Sequence, residues 1–507
     1  MAKEDGRGLT KDWPLILFMV LLWASLFVFY GAFHCKTPMN SDHTTTLPMS
    51  ADLLAGNVWL RGWTLATCNF YFTEIVPYAL GLAAGLSPCL LLNWVPGAAW
   101  AFVAVGTLAL VGFGEWSLRK KVAFLLPFVC LFLIFSHETQ VSLLNANQHN
   151  NLYALLILCL ILLKRYLEKN DAVSLAVMTV LAGLALFSEG FAAMAFTAPL
   201  ALFGVCLYFE KRERRHAFVA LSAVVSYLVS KALFLVFAAN GGMRTMGVPV
   251  RLANIADVPG RIAEFYREFS FFSGGFLDAA GPALTLLAMV LSAAFALFGW
   301  RSASWQKRFF LCVALVNLSA CAFVWVGVTI RYIVPSYFCM SVLLFLALSE
   351  IVDGIKGRGF AVSVLAALCV LSLSSAFFKV ERIASAHVFG EDYRNAVKFI
   401  RDRGWKAGYG AFWSSSIVSY YSGYEVDVVP FCISDGRHFS KYYCLFRDDF
   451  YRRSDMHFVL YTAPYDSLFF SKDDIFAVCG KPDETVRFGS LSLYFWKRDV
   501  SSFFMDE

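Results

Sequence analysis

Residues 39–48 read Met-Asn-Ser-Asp-His-Thr-Thr-Thr-Leu-Pro and place Asp42 and His43 shortly after an uncharged run that ends near Phe33. A carboxylate in such a position can take the proton from a reacting hydroxyl. A second acidic position, Glu138, follows His137 in Ser136-His137-Glu138-Thr139-Gln140, ahead of the amide-rich stretch Asn145 to Asn151 that includes His149. Glu74 closes an aromatic segment, Phe70-Tyr71-Phe72-Thr73-Glu74, and Glu189 stands between two apolar runs in Ser188-Glu189-Gly190. A carboxylate between apolar runs is costly unless it faces a polar cavity. Of the cations, Lys231 falls inside a later apolar run, about two-thirds of the way along it, while Arg244 and Arg251 follow that run and Arg331 interrupts another. Carboxylates opposite cations suit transfer from a phosphate ester to a hydroxyl, because the base removes a proton while the cations stabilise the departing phosphate. Each residue also has a plainer reading. Asp42 can cap the helix that follows it, the aromatics can anchor a membrane interface, the amide-rich loop can be solvated, Lys231 can snorkel and Arg331 can end a helix.

The elements that must position these residues follow from composition. Of 507 residues 59% are hydrophobic and only 16% charged, well below the roughly 25% charged residues of soluble proteins. Mean hydropathy is +0.61. A soluble enzyme, a disordered chain and a coiled coil are excluded; repeated membrane spans are required. Uncharged runs predict about 11 transmembrane helices: Trp13–Phe33, Pro88–Gly114, Val122–Ser136, Asn151–Leu163, Ala172–Ser188, Phe191–Phe209, Ala217–Ala239, Gly281–Gly299, Phe309–Thr329, Tyr332–Ser349 and Phe360–Phe378. No small-residue cleavage site follows the first run, which is expected to be retained. With the N-terminus in the cytoplasm, eighteen Lys and Arg residues fall in cytoplasmic segments and seven in outside loops, the asymmetry of the positive-inside rule. Basic residues therefore report orientation, and no nucleic-acid partner is expected. The region 1–378 forms the membrane domain, with outside loops 35–74 and 240–280. Within and after the first loop, Leu47–Ala55 reads as an amphipathic helix and Ile75–Ser87 as an interfacial one.

From residue 379 the composition turns charged and rich in Tyr and Ser. The segment 379–507 reads as an extracytoplasmic α/β domain, with a helix at Glu391–Arg403 and strands at Tyr424–Phe431, His457–Thr462, Glu484–Phe488 and Ser490–Lys497. The fold class is thus an all-α polytopic membrane protein carrying a C-terminal α/β domain. In an oxidising compartment Cys35–Cys68 and Cys432–Cys444 can pair, although spacing does not fix connectivity. The sequence holds no Walker A motif, dinucleotide fingerprint, nucleophile elbow, CxxC or HExxH, so ATP-driven transport and soluble-cofactor chemistry lack their usual signatures.

This layout resembles the GT-C superfamily of integral-membrane glycosyltransferases. In that superfamily the first outside loop carries a catalytic acid shortly after the first span and runs on into interfacial helices, and a second acidic motif lies in the next outside loop. Asp42 matches the first position, and Glu138 with His137 falls where the second belongs. Asn40-Ser41-Asp42, Gly62-Trp63-Thr64-Leu65 with Phe70 to Glu74, and Gly408-Tyr409-Gly410-Ala411-Phe412-Trp413 in the tail look like a bacterial subgroup of such proteins. The resemblance implies a hexosyltransferase-like enzyme of the bacterial inner membrane. It would move sugar from a polyprenyl-phosphate donor to a cell-envelope glycan, such as lipopolysaccharide, or to another lipid-linked acceptor outside the cytoplasm. Asp42 and Glu138 would be catalytic, and His43, Glu74, His137, Glu189, Lys231, Arg244, Arg251 and Arg331 would bind substrate. No cofactor is expected; the His-Glu pair departs from the superfamily's Asp-x-Asp or Asp-x-Glu, which leaves a divalent metal open but not favoured. The competing reading is a lipid-linked-sugar flippase or polysaccharide transporter without transferase activity, for which intramembrane charges along a path and inverted repeats would be the sign.

Overall fold

The computed structural model describes residues 8–34, 41–133, 149–246, 251–252, 254–260, 299–325, 332–357, 390–434, 438–442, 444–462 and 470–504, with residues 290, 294, 359–360, 362–367, 369–370 and 373 between them. The membrane domain contains α1 (Gly8–His34), the short α2 (Ser41–Thr44), α3 (Thr46–Leu54), β1 (Trp63–Leu65), α4 (Val76–Ala83), α5 (Pro88–Leu110), α6 (Leu118–Leu133), α7 (Asn150–Lys169), α8 (Ala172–Ser188), α9 (Ala198–Lys211), α10 (Arg214–Ala239), β2 (Arg244–Thr245), β3 (Arg251–Leu252), α11 (Trp305–Phe323), β4 (Val324–Trp325) and α12 (Val334–Gly354). Among the described residues seven helices are long and apolar enough to cross a membrane, and α8 is apolar but shorter. The run predicted at 281–299 lies largely outside the described residues and the one at 360–378 is described only in part, so the span number of eleven is neither matched nor replaced.

The helices pack in a continuous path, α1 on α5, α5 on α7, α7 on α8, α8 on α10, α10 on α9, α9 on α11, α11 on α12 and α12 on α6. Small residues set the closest approaches: a Cβ on Gly204 of α9 would lie 2.5 Å from the backbone nitrogen of Ala220 in α10, the close contact by which helices associate without a hydrophobic drive. The alternating path sorts the connections to two ends. At one end basic residues pair with acids, Lys307 with Glu350 (2.6 Å) and Arg308 with Glu210 (2.8 Å). At the other end lie the start of α7, the end of α8, the end of α10 and the segment 41–83.

The C-terminal domain stands on that second end. It consists of α13 (Glu391–Asp402), β5 (Ala407–Gly410), α14 (Phe412–Tyr421), β6 (Asp427–Ser434), β7 (His438–Lys441), β8 (Phe446–Arg447), β9 (Phe458–Thr462), α15 (Lys472–Cys479), β10 (Glu484–Phe488) and β11 (Leu491–Phe495). Its sheet runs β10-β11-β9-β5-β6-β7, with β5 parallel to β6 and β9 and the remaining pairs antiparallel. Side-chain alternation fills two cores. Phe458 and Leu460 join Ile400, Val397 and Ile417 on the α13–α14 face, while Val459 and Tyr461 join Ile475 and Val478 on the α15 face. Helices on both faces explain why β9 and β11 are buried at every position.

A second, three-stranded sheet, β2-β1-β8, ties the domain to the bundle. Thr64 of the first loop is paired with Arg244 on one side and Phe446 on the other. The turn into β1 needs Gly62 at φ +81°, and its carbonyl accepts the Asp448 N–H at 3.0 Å. Below it, Leu47, Tyr78, Leu91, Leu92 and Tyr420 form one small core that joins α3, α4, α5 and α14.

Candidate active site

Two carboxylate-bearing regions occupy the end of the bundle that meets the C-terminal domain. The first is enclosed. Glu74 lies in a π-helical turn, Tyr71–Ile75, which departs from the α-helix through Phe70 in the left-handed region at φ 53°. Such turns and strained backbones recur at functional sites. The turn is stitched to the end of α8: the N–H groups of Asn69 and Phe70 donate to the Ser188 carbonyl at 3.1 and 3.0 Å, Phe72 N–H donates to Ser188 Oγ at 2.9 Å, and Asn69 Nδ2 donates to the Phe187 carbonyl at 2.6 Å. Asn151 Nδ2, from the first turn of α7, donates to Glu74 Oε2 at 2.9 Å.

Beside it, Glu189 takes the C-cap position of α8 and His149 the N-cap position of α7, the latter at φ 68°. Oε2 of Glu189 contacts Nδ1 of His149. Both residues are buried, and Glu189 Oε1 and His149 Nε2 have no hydrogen-bond partner among the described residues. Phe70, Tyr153, Phe191 and Tyr332 surround the imidazole, with ring centroids 6.2, 6.5, 4.9 and 5.9 Å away. Glu189 therefore faces a polar partner inside the protein, which is what its position between apolar runs required.

The second region is the joint. Asp42 and His43 lie in α2, Asp42 partly buried and His43 buried. The turn is held from the C-terminal domain: Ser416 N–H donates to Ser41 Oγ at 3.1 Å and Tyr424 OH to the Thr44 carbonyl at 3.4 Å. Asp42 lies close enough to Cys444 to act on it. Burial first, then the Asp42 carboxylate, pushes the Cys444 thiol up to about 12. The capping role open to Asp42 goes to another residue, since Thr45 holds the N-cap of α3 without a side-chain bond. Nearby, Asp52 of α3 accepts from Trp63 Nε1 at 2.8 Å and pairs with Arg447 at 2.8 Å.

The cations named from sequence do not gather at either region among the described residues. Lys231 is exposed on α10, its ammonium 5.3 Å from the centre of the Tyr227 ring. Val219, Ser222, Ala223, Ser226 and Ser230 form the buried face of that helix, and the helical period turns Tyr227 and Lys231 away from it. Arg244 is exposed in β2. Arg251 lies in β3, which pairs with β4. Glu138, His137 and Arg331 lie outside the described residues. Sequence reasoning named His149 and Asn151 only as parts of a polar loop and did not single out Asn69, Ser188 or the Asp52–Arg447 pair. The Gln-His-Asn-Asn run of residues 148–151 crowded against an apolar helix was the available signal for the first two. Cys68, Cys432, Cys444 and Cys479 are thiols, so the Cys432–Cys444 bridge is not formed; Cys35 lies outside the described residues. Among the described residues no group of three or more His, Cys, Asp or Glu side chains is arranged to hold a metal ion.

No family model matches the chain and no curated protein matches it. Among solved structures, ArnT from Cupriavidus metallidurans in the apo state is similar over 97% of this chain and 100% of its own, with a TM-score of 0.54 and 12% identity. At that identity the likeness speaks for the fold. It extends through the helical bundle and the strand-containing C-terminal domain alike, so the chain shares the overall fold of that structure.

Proposed function

We propose that the protein is a membrane glycosyltransferase that moves a sugar from a polyprenyl-phosphate donor to a cell-surface glycan or another acceptor on the extracytoplasmic side. The observation that carries this reading is the whole-length fold likeness to ArnT from Cupriavidus metallidurans, taken with the GT-C resemblance of the sequence. Polar side chains packed at the one bundle end that meets the C-terminal domain support it. The segregation of basic loops to the opposite end supports a cytoplasmic N-terminus and an extracytoplasmic C-terminal domain in a bacterial inner membrane.

In the proposed reaction an acceptor hydroxyl gives its proton to Asp42 as its oxygen attacks the anomeric carbon of the donor. The bond from that carbon to the phosphate oxygen breaks, and the polyprenyl phosphate leaves with the electron pair. Asp42 suits the base because it is partly exposed and next to the interdomain joint, whereas Glu74 and Glu189 are buried. Arg331, with Arg244 or Arg251 assisting, would neutralise the leaving phosphate; Lys231, turned to the outer face of α10, takes no part. Glu138 is the competitor for the base. Purified protein in proteoliposomes, given the lipid-linked sugars extracted from the producing strain, tests the reading: sugar should pass to an endogenous acceptor and free polyprenyl phosphate should accumulate. Movement of intact lipid-linked sugar across the bilayer without release of polyprenyl phosphate would replace it with a flippase.

A further inference from the structure

The joint between α3 and the C-terminal domain encloses a cleft of about 460 Å³. One wall is α3, with Thr45, Ala51 and Asp52; the other is the C-terminal domain, with Tyr424, Phe450 and Arg453. Its floor includes Leu82 at the end of α4 and Pro88 at the start of α5, so the cleft reaches down to the end of a membrane-spanning helix. Its upper wall starts three residues after Asp42.

The charges of this cleft are compensated. Arg447 pairs with Asp52 at 2.8 Å and with Asp449 at 2.5 Å, and Arg453 pairs with Asp427. A phosphate would need a cation whose charge is not already answered by a carboxylate, and among its described lining residues the cleft offers none. It offers paired carboxylates and guanidinium groups, which present both acceptors and donors, together with hydroxyls from Thr45, Ser416 and Tyr424. It also offers the half-buried ring of Phe450, with Arg447 and Arg453 5.4 and 5.6 Å from its centre. A hydroxyl-rich ring has polar edges and apolar C–H faces. The former match hydrogen-bonding pairs, and the latter match an aromatic face.

We infer that this cleft binds a neutral saccharide, the acceptor glycan of the transfer, and holds its growing end toward Asp42 while any lipid anchor remains in the membrane beside α5. The inference rests on the glycosyltransferase reading. It assigns acceptor recognition to the seam between the two domains and leaves the donor phosphate to be held elsewhere.

Ala51 is exposed on the cleft wall, so Ala51→Trp fills the space without removing a core contact, and Ala51→Ser serves as control. Phe450→Leu removes the platform while keeping an apolar side chain. The probe is the end-labelled neutral saccharide released by mild acid from the envelope glycan of the producing strain, titrated onto the full-length protein in nanodiscs. The unmodified protein and Ala51→Ser should bind it, inorganic phosphate should not compete, and Ala51→Trp and Phe450→Leu should bind about tenfold more weakly or worse, in line with the loss of a central contact. Both variants should retain donor binding. No saccharide binding by the unmodified protein, undiminished binding by a folded Ala51→Trp protein, or displacement by phosphate would overturn the inference, and transfer by the unmodified protein would leave the enzyme reading standing. Saccharide binding that Ala51→Trp abolishes, in a protein that moves no sugar in proteoliposomes, would keep the cleft and retire the transferase.

Discussion

The two carboxylate regions at the top of the bundle are built in opposite ways. Glu189 and His149 belong to long helices and are fully enclosed, with a ring of aromatic side chains around the imidazole and backbone bonds fixing the neighbouring turn. Asp42 belongs to a four-residue helix that could not persist alone and is held by hydrogen bonds from another domain nearly four hundred residues away. The first arrangement is enclosed; the second is open and depends on docking. A buried pair suits a framework, whereas a partly exposed carboxylate at a seam can meet two reactants at once. On the proposed reading the contrast separates framework from chemistry at one end of the bundle.

The largest expected effect breaks the enclosed region. His149→Leu leaves the Glu189 carboxylate buried without its partner, which costs about 3–5 kcal/mol. Thermal unfolding of the purified variant should show this loss, and the double variant His149→Leu with Glu189→Leu should regain most of it, since a hydrophobic replacement of both partners is often tolerated. A single variant as stable as the parent protein would mean that the pair is not part of the framework. A folded double variant that stays inactive would move the pair from framework to chemistry.

Next comes the open region. Asp42→Asn keeps the shape of the side chain and removes the base, and should lower sugar transfer by at least about 10²-fold with little change in unfolding temperature. Near-normal transfer by this variant, alongside an inactive Glu138→Gln protein, would hand the role to Glu138. A smaller effect is expected at Arg331, next in sequence to Tyr332 of the aromatic ring set. Loss of a charge-assisted hydrogen bond is worth about 1.5–3 kcal/mol, so Arg331→Ala should weaken apparent donor affinity roughly tenfold or more. Unchanged donor titration in a folded Arg331→Ala protein would remove the phosphate role.

The smallest effect reports the docking itself. Because Cys444 is held up to about 12 by burial and by Asp42, its thiol stays protonated above the pH at which an unfolded cysteine ionises. The stabilisation this gives is complete below the ordinary thiol value of 9.0 and is lost as pH rises from there toward 12. At pH 9 a maleimide should label the exposed Cys89 and spare Cys444, and Asp42→Asn should speed Cys444 labelling modestly. No change in that rate would separate Asp42 from the C-terminal domain.

Much of the architecture was legible from local pattern. Glu391–Asp402 is a helix because Tyr393, Ala396, Val397 and Ile400 fall on one face, as their spacing predicts. Strands β9 and β10 fall where the β-rich runs lie, and β6 is displaced by a few residues toward the C-terminus, because Tyr424 takes φ 65° in the turn that precedes it. Strand β5 and helix α14 were missed as elements: Ala-Gly-Tyr-Gly has little strand propensity, and β5 exists because β6 and β9 flank it on both sides.

The sequence by itself determined the membrane class, the polarity of the loops, the α/β tail and the positions of Asp42, Glu74 and Glu189, because hydropathy, charge and periodicity act over neighbouring residues. Tertiary structure alone decided which of these side chains meet. It paired Glu189 with His149 across two helix ends, turned Lys231 outward by the phase of its helix, and set Ser416 on Ser41 and Arg447 on Asp52. Those contacts depend on rotation of helices and on register between distant strands, and a one-residue change in either reverses them while leaving the composition of every segment the same.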